Sequence, residues 1–492
     1  MLVKPVIENG VGIIVIENPP VNALTPGVVS GIEASIDVFE ASGEVRAIVL
    51  TAVGRTFVAG ADIRRFQEMI EAGEWDQGAG LYELTSRIEG CRKPVVCALF
   101  GTTLGGGLEL AMACHYRIAS MESKIGQPEV KLGLIPGAGG TQRLPRLCGL
   151  TKAAEICALG NLLSVEEAQV LGIIDEITHE DLRTASIEFA LRVSNQVPRR
   201  TCDLEDQLGY DAEVQAELRN IRRQSKERYQ GATAGVLAVD AVEKAAELSF
   251  EDGLAIEHDL FVKALSSGDA RTLIYLFFAE REAVKVPQVL PTDPFQTAEV
   301  IGFPKLYSED VHLLEVVLRA EIPTKMVRES NALAGMLDFL CVRDVTDIQW
   351  FSEDLFDIAP VVVLTSENFS LKPFVEAGWD PGKLIGLRFW PDLGGFCEIG
   401  ISAQTSAYVI HSLVRLLKQM GCPYVLEKPS PFYASSRIRE HRFDDSDFKI
   451  EAWKLVNDDV LARTSDVDLI QFHCFGKPRH QCNVGLDPKI QS

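Results

Sequence analysis

The stretch Leu104–Ala111, LGGGLELA, sets three consecutive glycines directly before a glutamate, inside an apolar run. Glycine gives up more backbone freedom on ordering than any other residue, so three in a row weaken any helix or strand that holds them. Such a run needs a use. Glycines let backbone approach a bound group closely and leave amide N–H groups facing outward. A helix beginning near residue 107 would add the positive end of its dipole at the same spot. Outward N–H groups and a helix dipole together favour negative charge developing on an oxygen. Phosphate is the other ligand suited to such a place. No Lys-Ser or Lys-Thr follows the glycines, however, as a P-loop requires. A carbonyl oxygen fits better.

Two acids lie close by in the sequence. Glu109 falls in the first turn after the glycines, and Glu129, in GQPE (126–129), is a second acid in an apolar setting. A carboxylate beside outward amides can serve as base or acid. Two of them near one polarised carbonyl can handle water and a proton separately. The pattern alone leaves two plainer readings open: Glu109 as the complement of a helix N-terminus, and Glu129 on a solvated turn.

The chain has 492 residues, which suggests two or three domains. Its 48 basic and 70 acidic residues give a net charge of −22. That argues against nonspecific binding to nucleic acid or anionic membranes, though local cations can still hold a small anion. No run reaches the roughly 18 apolar residues of a spanning helix. The start, MLVKPVIENG, does not read as a secretory signal, and the end, KIQS, is not a peroxisomal Ser-Lys-Leu tail. The eleven scattered cysteines read as reduced, buried thiols of a cytoplasmic protein. His473, Cys474, His480 and Cys482 crowd into ten residues, but their spacing matches no familiar zinc pattern. A surface tail with incidental thiols, and no metal, is expected there.

Short apolar runs recur early as GIIVI (12–16), RAIVLT (46–51) and PVVCALF (94–100). A helical stretch, 25–42, lies between the first two, with Thr25 placed to cap and Pro26 at the first helical position. This alternation predicts an α/β unit. From about 150 to 285 the spacing is mostly helical. The stretch 284–295, with three prolines, reads as a linker. Strand-like VHLLEVV (311–317), PVVVLTS (360–366) and KLIGLRFW (383–390) follow, and the chain after 440 gives no clear fold.

Three stretches, FVAGADIRRF (57–66), GTTLGGGLELAMACHYRIAS (101–120) and IGQPEVKLGLIPGAGGTQRLPRL (125–147), closely resemble the crotonase (enoyl-CoA hydratase/isomerase) superfamily, over roughly 1–190. The resemblance implies a ββα-spiral core with a helical extension. It implies an oxyanion hole formed by the amides of Ala61 and Gly106, catalytic roles for Glu109 and Glu129, and Gly137 beside the catalytic water. It assigns VNAL (Asn22, Ala23, Leu24) and the loop with Ala59, Asp62, Ile63 and Arg64 to binding CoA. Family hydratases keep both glutamates and isomerases often keep one. The implied activity is therefore hydration of a trans-2-enoyl-CoA to a 3-hydroxyacyl-CoA. A Δ3,Δ2-enoyl-CoA isomerase is the nearest alternative. A non-catalytic acyl-CoA-binding or assembly subunit is the second. A homo-oligomer, or association with another acyl-CoA enzyme, is a further expectation.

The stretch 261–287 resembles the helix and linker that follow the hydratase part of multifunctional fatty-acid oxidation enzymes, which continue into an NAD-dependent 3-hydroxyacyl-CoA dehydrogenase. Here VHLLEVV resembles its second Rossmann strand, ending in Glu315. VVVLTSENFSL (361–371) and LIGLRFWPDLGGFCEI (384–399) resemble later segments. The departures are heavy. EVIGFPKLYSEDV (299–311) lacks the glycine turn that receives a pyrophosphate. Arg388 stands at the position of the catalytic histidine, leaving Glu398 without an imidazole to orient, and serine replaces asparagine near 430–438. The expected organisation is a core over 1–190, a helical extension over 191–285, a linker over 286–299, a truncated Rossmann-like α/β remnant over 300–440 and an unassigned segment over 441–492. No NAD is expected to bind. An unrelated α/β domain remains the alternative for the second half.

Overall fold

Asn9 and Gly10 both take positive φ, 53° and 78°, and close a tight hairpin between β1 (Val3–Glu8) and β2 (Val11–Ile16). The computed structural model describes residues 2–75 and 80–283. Beyond them it describes 301–303, 310–320, 322, 324–326, 339–343, 361–365, 372–390, 395–427, 433–435, 452, 454–456, 460–461, 463–475 and 477–482. The linker expected at 286–299 lies outside the described residues. Two compact units divide the chain, Met1–Ile274 and Tyr275–Ser492.

In the first unit, β2 continues into a parallel series: β3 (Ala47–Ala52), β4 (Val95–Leu99), β6 (Tyr116–Ser120) and β9 (Glu176–Thr178). A smaller sheet joins β5 (Thr102–Leu104), β7 (Lys124–Gly126) and β8 (Leu162–Ser164). The apolar runs are unbroken because both faces of the main sheet are covered. Val11, Ile13, Val49, Val96 and Ile118 pack with α8 (Leu182–Val193) on one face. Ile14, Ile16, Ile48, Leu50 and Leu99 enter the main core on the other.

That core is built from α1 (Pro26–Ala41), α3 (Leu81–Glu89), α4 (Gly106–Ala113), α5 (Gly140–Cys148), α6 (Leu150–Leu159) and α7 (Val165–Val170). The shorter α2 (Ile63–Ala72) begins at an Asp62 cap. Pro26 takes the first helical position as expected, but the Thr25 hydroxyl makes no capping bond. The helices α9 (Ala212–Arg228), α10 (Ala234–Glu247) and α11 (Phe250–Leu265) complete the same core through Leu218, Ile221, Leu237, Val239 and Val242. In packing, the region after 190 is therefore continuous with the region before it. From Tyr275 on, α12 (Gly268–Ala283) belongs to the second unit.

Among the described residues, the second unit holds a seven-stranded sheet of β10 (Ile301–Phe303), β11 (Thr324–Met326), β12 (Phe339–Val342), β13 (Val361–Leu364), β14 (Leu384–Trp390), β15 (Phe396–Gly400) and β16 (Tyr424–Glu427). Their order is β11-β10-β12-β13-β14-β15-β16, parallel except at β14/β15. A first strand lying between the second and third, with parallel pairing, is a doubly wound, Rossmann-like arrangement. VHLLEVV is not its second strand. Those residues lie in α13 (Asp310–Arg319), and Glu315 sits on a helix. Leu313 and Val317, four apart, are buried together in the sheet's core, with Val316 and Ala320 against them. That is a helical stripe, which a short apolar run hides. Further helices are α14 (Lys372–Glu376), α15 (Ala407–Gln419) and α16 (Thr464–Phe475). The glycine-less turn sought at 304–309 and most of 366–370 and 430–438 lie outside the described residues.

The expected surface tail is corrected as well. His473 is buried on α16, stacked on Phe396 at 4.6 Å, and burial pushes its pKa down to about 4. Cys482 is buried too. Leu469, Ile470 and Cys482 belong to an apolar cluster with Phe396 and Val425, which draws this segment inward. Among the described residues no group of His, Cys, Asp and Glu is arranged to hold a metal. All eleven cysteines are free thiols, most of them buried.

Candidate active site

Each of the three glycines has a separate reason to lack a side chain. Gly105 has φ +53° and ψ −126°, backbone that L side chains rarely adopt, and a Cβ there would stand 2.7 Å from Glu129 Oε1. A Cβ on Gly106 would stand 3.3 Å from the Ala61 amide nitrogen, and one on Gly107 would stand 2.2 Å from the Val58 carbonyl oxygen. The run thus seats α4 against the 58–61 segment. Gly106 is the first residue of α4, one before the expected start, and the first amides of a helix have no intrahelical acceptor. Ala61 and Gly106 thus adjoin at the positive end of a short helix.

Glu109 follows in the first turn of α4 and is buried, at 3% exposure. Its Oε1 accepts from the amides of Ala138 (2.7 Å) and Gly140 (2.9 Å), at the start of α5. Burial raises its pKa, while those amides and the Arg143 guanidinium pull the other way. Glu129 begins a short 3-10 turn, Glu129–Leu132. Burial, then the Glu109 charge, holds Glu129 well above the ordinary carboxylate range. With its amide nitrogen turned toward Glu129, Gln127 donates to both carboxylate oxygens, at 3.0 and 3.2 Å. The Gln127 amide, Pro136 and Glu109 Oε1 all lie within 2.8 Å of where a Cβ on Gly140 would stand. Glu109 and Gln127 thus both crowd the side of Gly140 where a Cβ would stand, and Gln127 in turn holds Glu129. Glu109 does complement a helix N-terminus, that of α5 rather than its own, and Glu129 stands half-buried at the start of its turn.

Gly137 packs under Phe261 of α11, whose ring would lie 2.6 Å from an added Cβ. The remaining expected residues hold the neighbouring loops. Asn22, buried at φ +52°, donates to the carbonyls of Val53 (2.8 Å) and Thr56 (3.0 Å). Leu24 is buried, and its amide donates to Gly60 O, next to the Leu24–Ala61 bridge. Ala23 accepts from the Asn18 amide, and the Ala59 amide donates to Val21 O. Asp62 caps α2 through the Arg64 amide (3.1 Å), with Ile63 as the first helical residue. The Arg64 side chain is exposed.

Two participants escaped the sequence reading, Gln127 and Glu257. Glu257 lies on the buried face of α11 and accepts from the amides of Gly139 (2.6 Å) and Thr141 (2.8 Å). The usable signal was an acid in register with the apolar stripe Gly253, Leu254, Ala264 and Leu265.

In the second unit, Arg388 of β14 pairs across the sheet with Glu398 of β15. Glu398 is fully buried, accepting from the Ser435 amide (2.8 Å) and hydroxyl and from Trp390 Nε1 (2.8 Å). Arg388 donates to Ser435 Oγ (3.2 Å) and lies over the Trp390 ring. The acid is thus tied into a network of serine, tryptophan and arginine.

Residues 6–234 match the family model for enoyl-CoA hydratase/isomerase. Among curated relatives, the human protein named peroxisomal bifunctional enzyme is 39% identical over 283 residues, 57% of this chain and 38% of its own. A rice protein named peroxisomal fatty acid beta-oxidation multifunctional protein is 36% identical over 349 residues, 68% of this chain and 48% of its own. The chain thus matches less than half the length of these relatives. Among solved structures, an enoyl-CoA hydratase subunit from Geobacillus kaustophilus is 29% identical, covering 59% of this chain and 98% of its own, with a TM-score of 0.37.

Proposed function

We propose that the enoyl-CoA hydratase/isomerase domain formed by residues 6–234 adds water across the double bond of trans-2-enoyl-CoA thioesters, a step of fatty-acid or related acyl-CoA degradation. The observation that carries this reading is a pair of carboxyl groups with unlike surroundings, buried Glu109 and half-buried Glu129, close to the adjoining Ala61 and Gly106. The thioester oxygen accepts from those two amides. Glu109, fixed by the α5 amides, orients water and takes its proton as the oxygen bonds to C3. Glu129, whose environment favours its protonated form, delivers a proton to C2. The water's hydroxyl ends on C3 and its proton on Glu109 while C2 takes the Glu129 proton; a proton passing from Glu109 back to Glu129 restores both acids, and charge on the thioester oxygen exists only between the two steps. Losing one such amide donor typically costs about 3–4 kcal/mol of barrier. The segments 22–24 and 59–64 are proposed to line the CoA path, with Arg64 meeting an anionic part.

The second unit is proposed to carry no hydride-transfer chemistry and to bind no NAD. Arginine cannot act as a base near neutral pH, and Glu398 already serves Ser435 and Trp390. The relatives are named for peroxisome or glyoxysome, whereas the sequence reading favoured the cytoplasm; fractionation against markers of both decides. The activity test is loss of the conjugated-thioester absorbance of crotonyl-CoA and longer trans-2-enoyl-CoAs. Turnover should collapse in Glu109→Gln and Glu129→Gln by about 100-fold or more. Variants that match a turning-over wild type would refute the assignment of both acids. Turnover only of 3-enoyl thioesters would favour the isomerase. Binding of CoA thioesters with no turnover at all would favour the assembly role.

A further inference from the structure

Helix α11 carries a single acid on its inward face. Glu257 is 1% exposed, and its Oε1 accepts from the Gly139 amide at 2.6 Å. Its Oε2 accepts from the Thr141 amide (2.8 Å) and the Thr141 hydroxyl. The alternate amides, of Ala138 and Gly140, go to Glu109 Oε1. Four successive N–H groups at the start of α5 therefore alternate between two buried carboxylates, one on α4 and one on α11. The left-handed backbone of Gly139, φ +91°, helps turn neighbouring amides to opposite sides.

We propose that Glu257 is a positioning residue for the hydration reaction: it clamps residues 139–141 so that the amides of Ala138 and Gly140 hold Glu109. This rests on the hydratase reading above. The clamp is stiff because it is buried and because each carboxylate oxygen has a donor. Glu109 on α4, Glu129 on the 129–132 turn and Arg143 on α5 face this cluster, and Arg143 is paired with Glu89 of α3 at 2.8 Å. Burial, then the Glu109 charge, pushes Glu257 up to about 8 against the pull of Thr141 and Gly139. Two carboxyl groups so placed compete for one negative charge. Release of the clamp loosens the Ala138 and Gly140 amides, which favour the ionised form of Glu109, and so makes Glu109 harder to ionise.

The test is Glu257→Gln in the full chain, assayed for crotonyl-CoA hydration from pH 5 to 9. An amide oxygen can accept one of the donors, but its NH2 then faces the other. The expected result is a fall in kcat of about 10- to 100-fold with KM little changed. The acid limb of kcat/KM should move to higher pH, because the Ala138 and Gly140 amides that favour ionised Glu109 are released, and Glu257→Asp should return it toward the wild-type position. A role in packing alone would lower kcat and leave the limb where it was. Should Glu257→Gln fail to fold, Thr141→Val removes one donor and keeps the acid. It should give a smaller loss with the limb displaced in the same direction. A turning-over wild type whose variants keep its kcat and its acid limb overturns this inference alone. A wild type inert toward every enoyl-CoA removes the hydratase reading, and the inference with it.

Discussion

Gly140→Ala tests the active-site geometry with one added methyl. Gly140 is the first residue of α5 and lacks the left-handed backbone that only glycine tolerates, so alanine meets no conformational penalty there. On propensity alone, alanine in a helix gains up to about 1 kcal/mol over glycine. The new Cβ would stand 2.6 Å from Pro136 Cβ, 2.7 Å from Glu109 Oε1 and 2.8 Å from the Gln127 amide. These distances fall about 0.6–0.8 Å inside the 3.4 Å at which ordinary contact begins. All three neighbours are buried, so the carboxylate, the amide or the end of α5 must shift by much of that amount. Overpacking of this kind costs about 1–3 kcal/mol of stability. A catalytic group misplaced by about 1 Å can cost 100-fold in rate, which corresponds to about 2.7 kcal/mol of barrier. The assay is kcat for crotonyl-CoA hydration beside a thermal melt. Gly43→Ala serves as control, since nothing lies within 4 Å of its added Cβ. A Gly140→Ala protein with wild-type kcat and melting temperature would refute the tight Glu109–Gly140–Gln127 contact on which the mechanism rests.

Burial and the Glu109 charge hold Glu129 well above the ordinary carboxylate range and so favour its protonated form. Hydration should therefore decline as pH rises through that raised value, and a rate that stays flat through about pH 10 would contradict proton donation by Glu129. The same elevation appears in stability. Glu257 near 8 holds a proton that the unfolded chain gives up near 4.3, so its contribution is full below about pH 4 and fades as pH rises through 8. Differential scanning fluorimetry should show the Glu257→Gln protein less sensitive to pH over that window than wild type. Glu89→Ala should destabilise by about 3–5 kcal/mol in urea unfolding, because it leaves the Arg143 guanidinium buried without its partner. Titration with NADH, followed by fluorescence or calorimetry, should show no saturable binding in the micromolar range; a measurable site would contradict the inactive second unit.

Local signals carried most of the first unit. The unbroken apolar runs became strands because both faces of their sheet are covered, and period-two burial of Val11 and Ile13 against Ile14 and Ile16 is the result. The glycine run marked a close backbone approach, and Glu109 and Glu129 were picked out by their nearness to it. The second half was less legible. VHLLEVV is short enough to satisfy a strand or a helix, and only its packing on the sheet chose the helix. The segment around His473 looked like a polar tail, yet its apolar side chains bury it against β15.

Sequence alone marked the close backbone approach at Gly105–Gly107 and the acid in the turn after it, because glycine spacing and helix starts act within a few residues; that Glu129 stands beside them is a tertiary fact. It could not determine which group holds which. Glu257 lies 116 residues after Thr141 and 118 after Gly139, and bonds to both. Gln127 differs from any other amide side chain only in facing Glu129. The electrostatics of the site also arose in three dimensions. A carboxylate's pKa depends on its burial and on the charges around it, and α4, α5 and α11 meet at Glu109 only after the chain has folded.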